Sequence, residues 1–316
     1  MKRRIVILFF SILLLNTTIA YAKEEVDSNQ SKIEFYKQMQ ALTFIPWYYF
    51  AAIHQYEKNI HTEDSDDSFG IQIPNQKWYG LLPNTTPRTP EVIQMFGGIG
   101  RDGNDDGIAD PNDPTDVFYS FSQYIKQYGY SEQDIRTALW NYYKREMSVS
   151  SITKYAKLFE TYDTVTFDDH AFPIPKGYNY SYKNTWGDAR GFGGRRIHEG
   201  TDIFANYGTP VRSTTYGVIE LKGWNRYGGW RIGIRDTHNR YHYYAHLNSF
   251  AEGIKIGDIV EAGQTIGSVG STGYGPPGTS GKFPPHLHYG MYKDDGNRQW
   301  SFDPFPYLTR WEKNNP

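Results

Sequence analysis

Histidine and aspartate recur at short spacings in the second half of the chain. His198 and Asp202 stand four apart in His198-Glu199-Gly200-Thr201-Asp202, just before the apolar pair Ile203-Phe204. A His and an Asp so placed across a strand entry can converge on one ion, and zinc accepts both imidazole nitrogen and carboxylate oxygen. His286 and His288 flank Leu287. Alternate residues of a strand share a face, so both imidazoles would point one way with Leu287 behind them. Taken alone, that pair also fits two partly buried structural histidines. His246, in Tyr243-Tyr244-Ala245-His246-Leu247, shares a strand face with His242 and Tyr244. Three protein ligands and an open position make a catalytic zinc site. Further imidazoles then serve as proton carriers and transition-state donors. The chain has no cysteine, which excludes thiolate ligands, disulfides and a lipid-modified N-terminal Cys.

The elements around these residues are short and strand-like: Ile203 to Ala205, Val211 to Ile219, Trp230 to Arg235, Arg240 to Leu247, Ile254 to Val260 and Leu287 to Tyr292. Turn residues separate them, as in an all-β domain. Before Tyr162 the texture is helical. A helix is expected from Pro46 to Ile60 after a cap at Thr43, and another opens at Ser131 with Asp134. Residues 23–42 are polar and expected to fray, while Pro173, Pro175 and Gly177 mark a linker. At the start, Lys2-Arg3-Arg4, an apolar run from Ile5 to Leu15 and Ala20-Tyr21-Ala22 have the form of a secretory signal peptide. The run is short of the roughly 20 residues a spanning helix needs. Lys+Arg 33 against Asp+Glu 35, with no basic tract, argues against nucleic acid as partner.

Two features of the helical half could do chemistry. Phe50, Ile53, Glu57 and Ile60 fall on one helical stripe. A carboxyl on an apolar face has its pKa raised by desolvation and can serve as a general acid; a structural, salt-bridged Glu at the stripe's edge fits as well. Asp102, Asn104, Asp106, Ile108, Asp110 and Asp113 occupy the ligand register of a calcium loop, with Gly107 at its sharp turn. The other reading is an Asp/Asn/Gly turn in which Asp113 caps the helix from Pro114.

The segment from about Phe172 to Leu308 resembles the lysostaphin-type peptidases, the M23 or LytM family. The run from Arg195 to Ala205, Gly208 to Val211, Tyr244 to Leu247, Gly257 to Gly267, Gly270 to Gly273 and Pro285 to His288 carry the likeness, in order and spacing. The resemblance implies His198, Asp202 and His288 as zinc ligands, and His246 and His286 as the groups acting on the water and the developing oxyanion. Tyr289-Gly290 stands where the family often has an aromatic then Glu. His54, His61, His170, His238 and His242 have no motif context and read as surface or structural, and Glu199 as solvated or beside the ligands.

Residues 44–143 resemble the lysozyme-like lytic transglycosylases, which implies Glu57 as the acid. Lys58, Ile71 and Tyr143 depart from that pattern, which leaves glycan binding as the alternative to glycan cleavage. The fold expected is α + β multidomain. A signal peptide (1–22) precedes an all-α lysozyme-like domain (44–162), a linker (163–185) and an all-β antiparallel, sandwich-like peptidase domain (186–310). Within the family, this layout resembles the sporulation-associated L-Ala–D-Glu endopeptidases. Together, these readings imply a secreted, zinc-dependent endopeptidase acting on peptidoglycan at the cell wall, calcium as a candidate second ion of the loop, and no stable membrane partner if the signal peptide is cut. The rivals are a D,D-carboxypeptidase-type zinc enzyme, disfavoured by the four-residue His-to-Asp step, and an inactive scaffold on the same fold.

Overall fold

The computed structural model describes residues 29–61, 71–82, 88–191 and 194–314. The expected signal peptide lies outside them. No helix among the described residues is long and apolar enough to cross a membrane.

Helices come first. Residues 29–43 form α1, where fraying was expected. Its Tyr36 and Met39 are buried, so packing of an apolar stripe overrides the polar composition. Then follow α2 (Trp47–Ile60), α3 (Asn75–Tyr79), α4 (Pro90–Met95), α5 (Pro114–Lys126), α6 (Glu132–Tyr143) and α7 (Glu146–Tyr162). Pro46 caps α2 rather than opening it. Asp113 caps α5, accepting from the amides of Thr115 and Asp116. Ser131 and Asp134 close a capping box on α6. Phe50, Ile53 and Tyr56 of α2 share one core with Phe118, Phe121, Leu139, Ile152 and Phe159. Truncating a fully buried Phe of this kind costs about 3–5 kcal/mol.

The second half is an antiparallel sheet of short strands. The strands are β1 (Tyr180–Tyr182), β2 (Ala189–Arg190), β3 (Arg196–Ile197), β4 (Thr201–Ala205), β5 (Pro210–Arg212), β6 (Gly217–Asn225), β7 (Gly229–Arg235), β8 (Arg240–Phe250), β9 (Ile259–Val260), β10 (Thr265–Val269), β11 (His286–Asp294) and β12 (Gln299–Phe302). The main sheet runs β1-β4-β11-β8-β7-β6-β9, with β5, β10 and β12 paired off that path, while β2 and β3 pair alone. The expected strand from Val211 to Ile219 is two strands, because Ser213, Thr214 and Thr215 turn the chain between β5 and β6. A terminal helix, α8 (Phe305–Lys313), also departs from an all-β domain; its Leu308 and Trp311 cover the sheet core of Ile203, Ile234, Tyr244, Leu287 and Tyr289.

The stretch expected as a linker is packed. Phe167 joins the helical core, Phe172 and Ile174 join the sheet core, and β1 already pairs with β4. The two halves are joined tightly. Val218 sits in the helical core, Arg145 makes two hydrogen bonds to Asp294 at 2.6 and 2.7 Å, and Lys154 pairs with Glu220 at 3.3 Å.

Candidate metal centre

The site forms where β4, β11 and β8 lie side by side. In the β4–β11 register His288 is directly opposite Asp202, and in β11–β8 it is opposite Ala245. Cross-strand partners have their Cβ atoms about 5 Å apart, so the register alone brings carboxylate and imidazole together. His198 sits between β3 and β4, and its ring reaches the same point: Nε2 is 2.8 Å from His288 Nδ1 and 3.0 Å from Asp202 Oδ1. His288 Nδ1 is 3.1 Å from that same oxygen. Among the described residues, this is the one group of three or more His, Cys, Asp or Glu whose ligand atoms lie within 4.8 Å of one another.

Backbone carbonyls fix the imidazoles. His198 Nδ1 donates to the Thr185 carbonyl at 2.7 Å, which leaves Nε2 with its lone pair. Thr185 Oγ1 also accepts from the Asp202 amide at 3.1 Å. His286 Nδ1 donates to the Pro284 carbonyl and His246 Nδ1 to that of Thr272. Their Nε2 atoms are thereby left as acceptors, and the one on His286 is 3.7 Å from Asp202 Oδ1. The His246 and His286 ring centres are 4.8 Å apart, with Phe283 against both.

Two backbone features are specific to the site. His246 has φ +61°, a left-handed conformation rare for a residue with a side chain, so the surrounding structure must over-determine it. Its amide donates to the Gly228 carbonyl at 2.7 Å. A Cβ on Gly200 would lie 2.5 Å from the Tyr289 carbonyl and 2.7 Å from His288 Cε1, so only glycine lets His288 stand there.

The electrostatics suit a cation. Burial opposes ionisation of Asp202, yet the neighbouring His198 and His288 hold its carboxyl well below the usual range. Burial pushes the imidazole of His246 down to about 3, helped by the neighbouring His286 and His288, and burial also lowers His286 and His288. Two imidazole nitrogens and one ionised carboxylate converging on one point are a donor set that fits zinc.

The residues singled out in the β domain thus come together: His198, Asp202 and His288 at one point, with His246 and His286 beside them. Thr185, Thr272, Pro284 and Arg190 are parts the sequence reading missed. The first three act through main-chain oxygens, which no side-chain motif reports. Arg190 Nη2 is 3.0 Å from Asp202 Oδ2, and only its basic character hinted at a role.

The helical half is different. Glu57 is 3% exposed, and burial raises its carboxyl pKa, as its place on the stripe suggested. Tyr143 donates to Glu57 Oε1, and His61 Nδ1 is 3.4 Å from its other oxygen. The loop of Asp102, Asn104, Asp106, Ile108, Asp110 and Asp113 gives the calcium expectation no support. Asp102 accepts from the amides of Asn104, Asp106 and Gly107, Asp106 from that of Ile108, Asp110 from that of Asn112, and Asp113 caps α5. These carboxylates wind a turn instead of converging on a common point. His242, read as structural, is fully buried on Asp236, Tyr289 and Thr214.

The model of Peptidase family M23 matches residues 196–304. An L-Ala–D-Glu endopeptidase of Bacillus subtilis strain 168 is 57% identical over 288 residues, which is 89% of this chain and 88% of that protein. The chain belongs to peptidase family M23. Lysostaphin of Staphylococcus staphylolyticus is 39% identical over 114 residues, 35% of this chain and 22% of lysostaphin. The crystallised catalytic domain of Staphylococcus simulans lysostaphin is 34% identical, covering 45% of this chain and 99% of that domain, with a TM-score of 0.35. As an M23 member the chain is a metallopeptidase, and its strand half holds a His/Asp site of the kind that chemistry needs.

Proposed function

We propose that this M23 peptidase hydrolyses the L-Ala–D-Glu bond in the peptide stems of peptidoglycan, outside the cytoplasm, with zinc held by His198, Asp202 and His288. The observation that carries the reading is the three-way approach of His198 Nε2, His288 Nδ1 and Asp202 Oδ1 within 3.1 Å of one another, with His246 and His286 alongside. The choice of bond rests on the B. subtilis L-Ala–D-Glu endopeptidase, whose likeness extends over both halves of the chain.

Zinc, when bound, supplies Lewis acidity and a water of lowered pKa. The chain's own residues do the rest. Carbonyl oxygens of Thr185, Thr272 and Pro284 hold three imidazoles with Nε2 as acceptor. His246 or His286 takes a proton from water at Nε2 and returns it to the leaving amine, so that OH ends on the carbonyl carbon and H on the nitrogen. The other imidazole stands beside the reacting carbonyl and, when its Nε2 carries a proton, donates to the oxygen on which charge develops.

For the helical half we propose a glycan-binding role on a lysozyme-like fold rather than glycan cleavage. A general acid must touch its substrate, and Glu57 is enclosed by Tyr143 and His61. The spore-forming setting implied by the two-part layout belongs to this proposal too. Digestion of purified peptidoglycan with mass analysis of the fragments tests the whole reading: new amino-terminal Glu and intact sugar chains support it, while cleavage of another peptide bond, or anhydro-sugar ends, would refute the corresponding part.

A further inference from the structure

Arg190 ends β2, and its register partner Arg196 lies on β3, the strand that leads straight to His198. Its Nη2 is 3.0 Å from Asp202 Oδ2, whereas Asp202 Oδ1 is the oxygen facing His198 and His288. The guanidinium therefore stands beside the metal centre without blocking the converging ligand atoms. It spends one donor on one carboxylate oxygen, although the group carries five N–H donors in a fork that suits two oxygens at once. Asp202 is the only side-chain partner of Arg190 among the described residues, and the Arg190 side chain is 29% exposed, so donors remain for a second partner.

Holding Asp202 in place does not need a full positive charge. Thr185 already fixes that residue through its amide, and a cation next to a ligand carboxylate weakens it as a ligand. A neutral peptide bond does not need a guanidinium either. A substrate anion does. In a peptide whose scissile bond is followed by Glu, one carboxyl carries the chain onward and the other is free. If the free group is the one on Cα, its carbon lies about 2.5 Å from the scissile nitrogen. That places a carboxylate next to the metal centre, where Arg190 stands. The rim adds Arg196, 3.5 Å from the Tyr274 hydroxyl, and Lys282, bonded to the Tyr274 carbonyl at 2.7 Å.

We infer that Arg190 is a specificity residue that binds the free carboxylate of the acidic residue after the scissile bond. This inference rests on the L-Ala–D-Glu reading. It is tested with synthetic stem peptides carrying either the free carboxylate or its carboxamide at that Glu, using zinc-loaded wild type, Arg190→Lys and Arg190→Gln. Wild type should prefer the free acid. In Arg190→Gln, the ratio of kcat/KM for the acid to that for the amide should fall about 10- to 100-fold, the worth of a charge-assisted hydrogen bond. Arg190→Lys should recover part of the preference, and zinc content should stay constant in all three. An equal loss on both peptides, or lost zinc, would overturn the inference and leave Arg190 as a prop for Asp202. The bond cut by wild type, read from product masses, separately decides the L-Ala–D-Glu reading.

Discussion

His198 Nε2 and His288 Nδ1 stand 2.8 Å apart although 90 residues separate them in the chain. Since His198 Nδ1 gives its hydrogen to the Thr185 carbonyl, Nε2 meets its neighbour with a lone pair. Two imidazole nitrogens and an ionised Asp202 are brought together at no obvious benefit to folding. The arrangement is explained by a cation.

The first prediction is metal dependence. The purified protein should carry about one zinc, as three ligands and an open position imply. His198→Ala, Asp202→Ala and His288→Ala should each remove metal and activity together, measured by elemental analysis and peptide release. Full zinc occupancy in Asp202→Ala would contradict the ligand set.

His246 and His286 should behave differently. Their alanine variants keep the ligand set, so zinc should remain while turnover falls about 10²- to 10⁴-fold, the usual contribution of general acid–base help. Wild-type turnover in either variant would remove that residue from the chemistry.

Stability should fall toward acid pH through a buried pair away from the metal. His242 Nε2 is 3.1 Å from Asp236 Oδ2. Burial opposes charge on Asp236, but His242 holds its carboxyl well below the usual range; burial likewise lowers His242 despite Asp236. Both groups bind protons more weakly in the folded chain than in the unfolded one. Their stabilisation is present above the ordinary imidazole and carboxylate values of about 6.5 and 3.9, and is lost as pH falls below each. His242→Gln should lower Tm at pH 7 yet flatten the decline between about pH 7 and 5. An unchanged slope would show that other groups set it.

The joint between the halves should be worth much to the whole molecule. Asp294, fully buried at the end of β11, is held by two hydrogen bonds from Arg145. Arg145→Ala leaves that carboxylate unpaired, at a cost of about 3–5 kcal/mol. Arg145→Met with Asp294→Leu, which removes both charges, should cost clearly less. Denaturant unfolding of the two variants checks the order, and equal losses would argue against a buried pair.

Much of the site was legible because its spacing mirrors its geometry. His286 and His288 share a face by strand alternation, and Asp202 precedes the apolar run that anchors β4. The pairing of Asp202 with His288 was not legible, since register between strands 86 residues apart is a tertiary property. The left-handed backbone at His246 and the carbonyls that orient the rings leave no side-chain signature. In the helical half, Glu57 was placed correctly on its apolar stripe, but its closure by Tyr143 needed the end of α6 to reach α2. The acidic loop is ambiguous in its sequence. Asp and Asn at alternate positions serve a turn as readily as an ion, because both uses need oxygen acceptors near backbone amides. Likewise α1 looked too polar to pack, although a few buried residues suffice to seat a helix.

The central claim is tested most directly by the masses of fragments released from purified peptidoglycan by the zinc-loaded enzyme. Cleavage between L-Ala and D-Glu predicts stem fragments with a new amino-terminal Glu, and sugar chains that retain L-Ala alone, with neither product formed by His288→Ala. Stems cut at any other bond, or the same fragments from His288→Ala, would contradict the account.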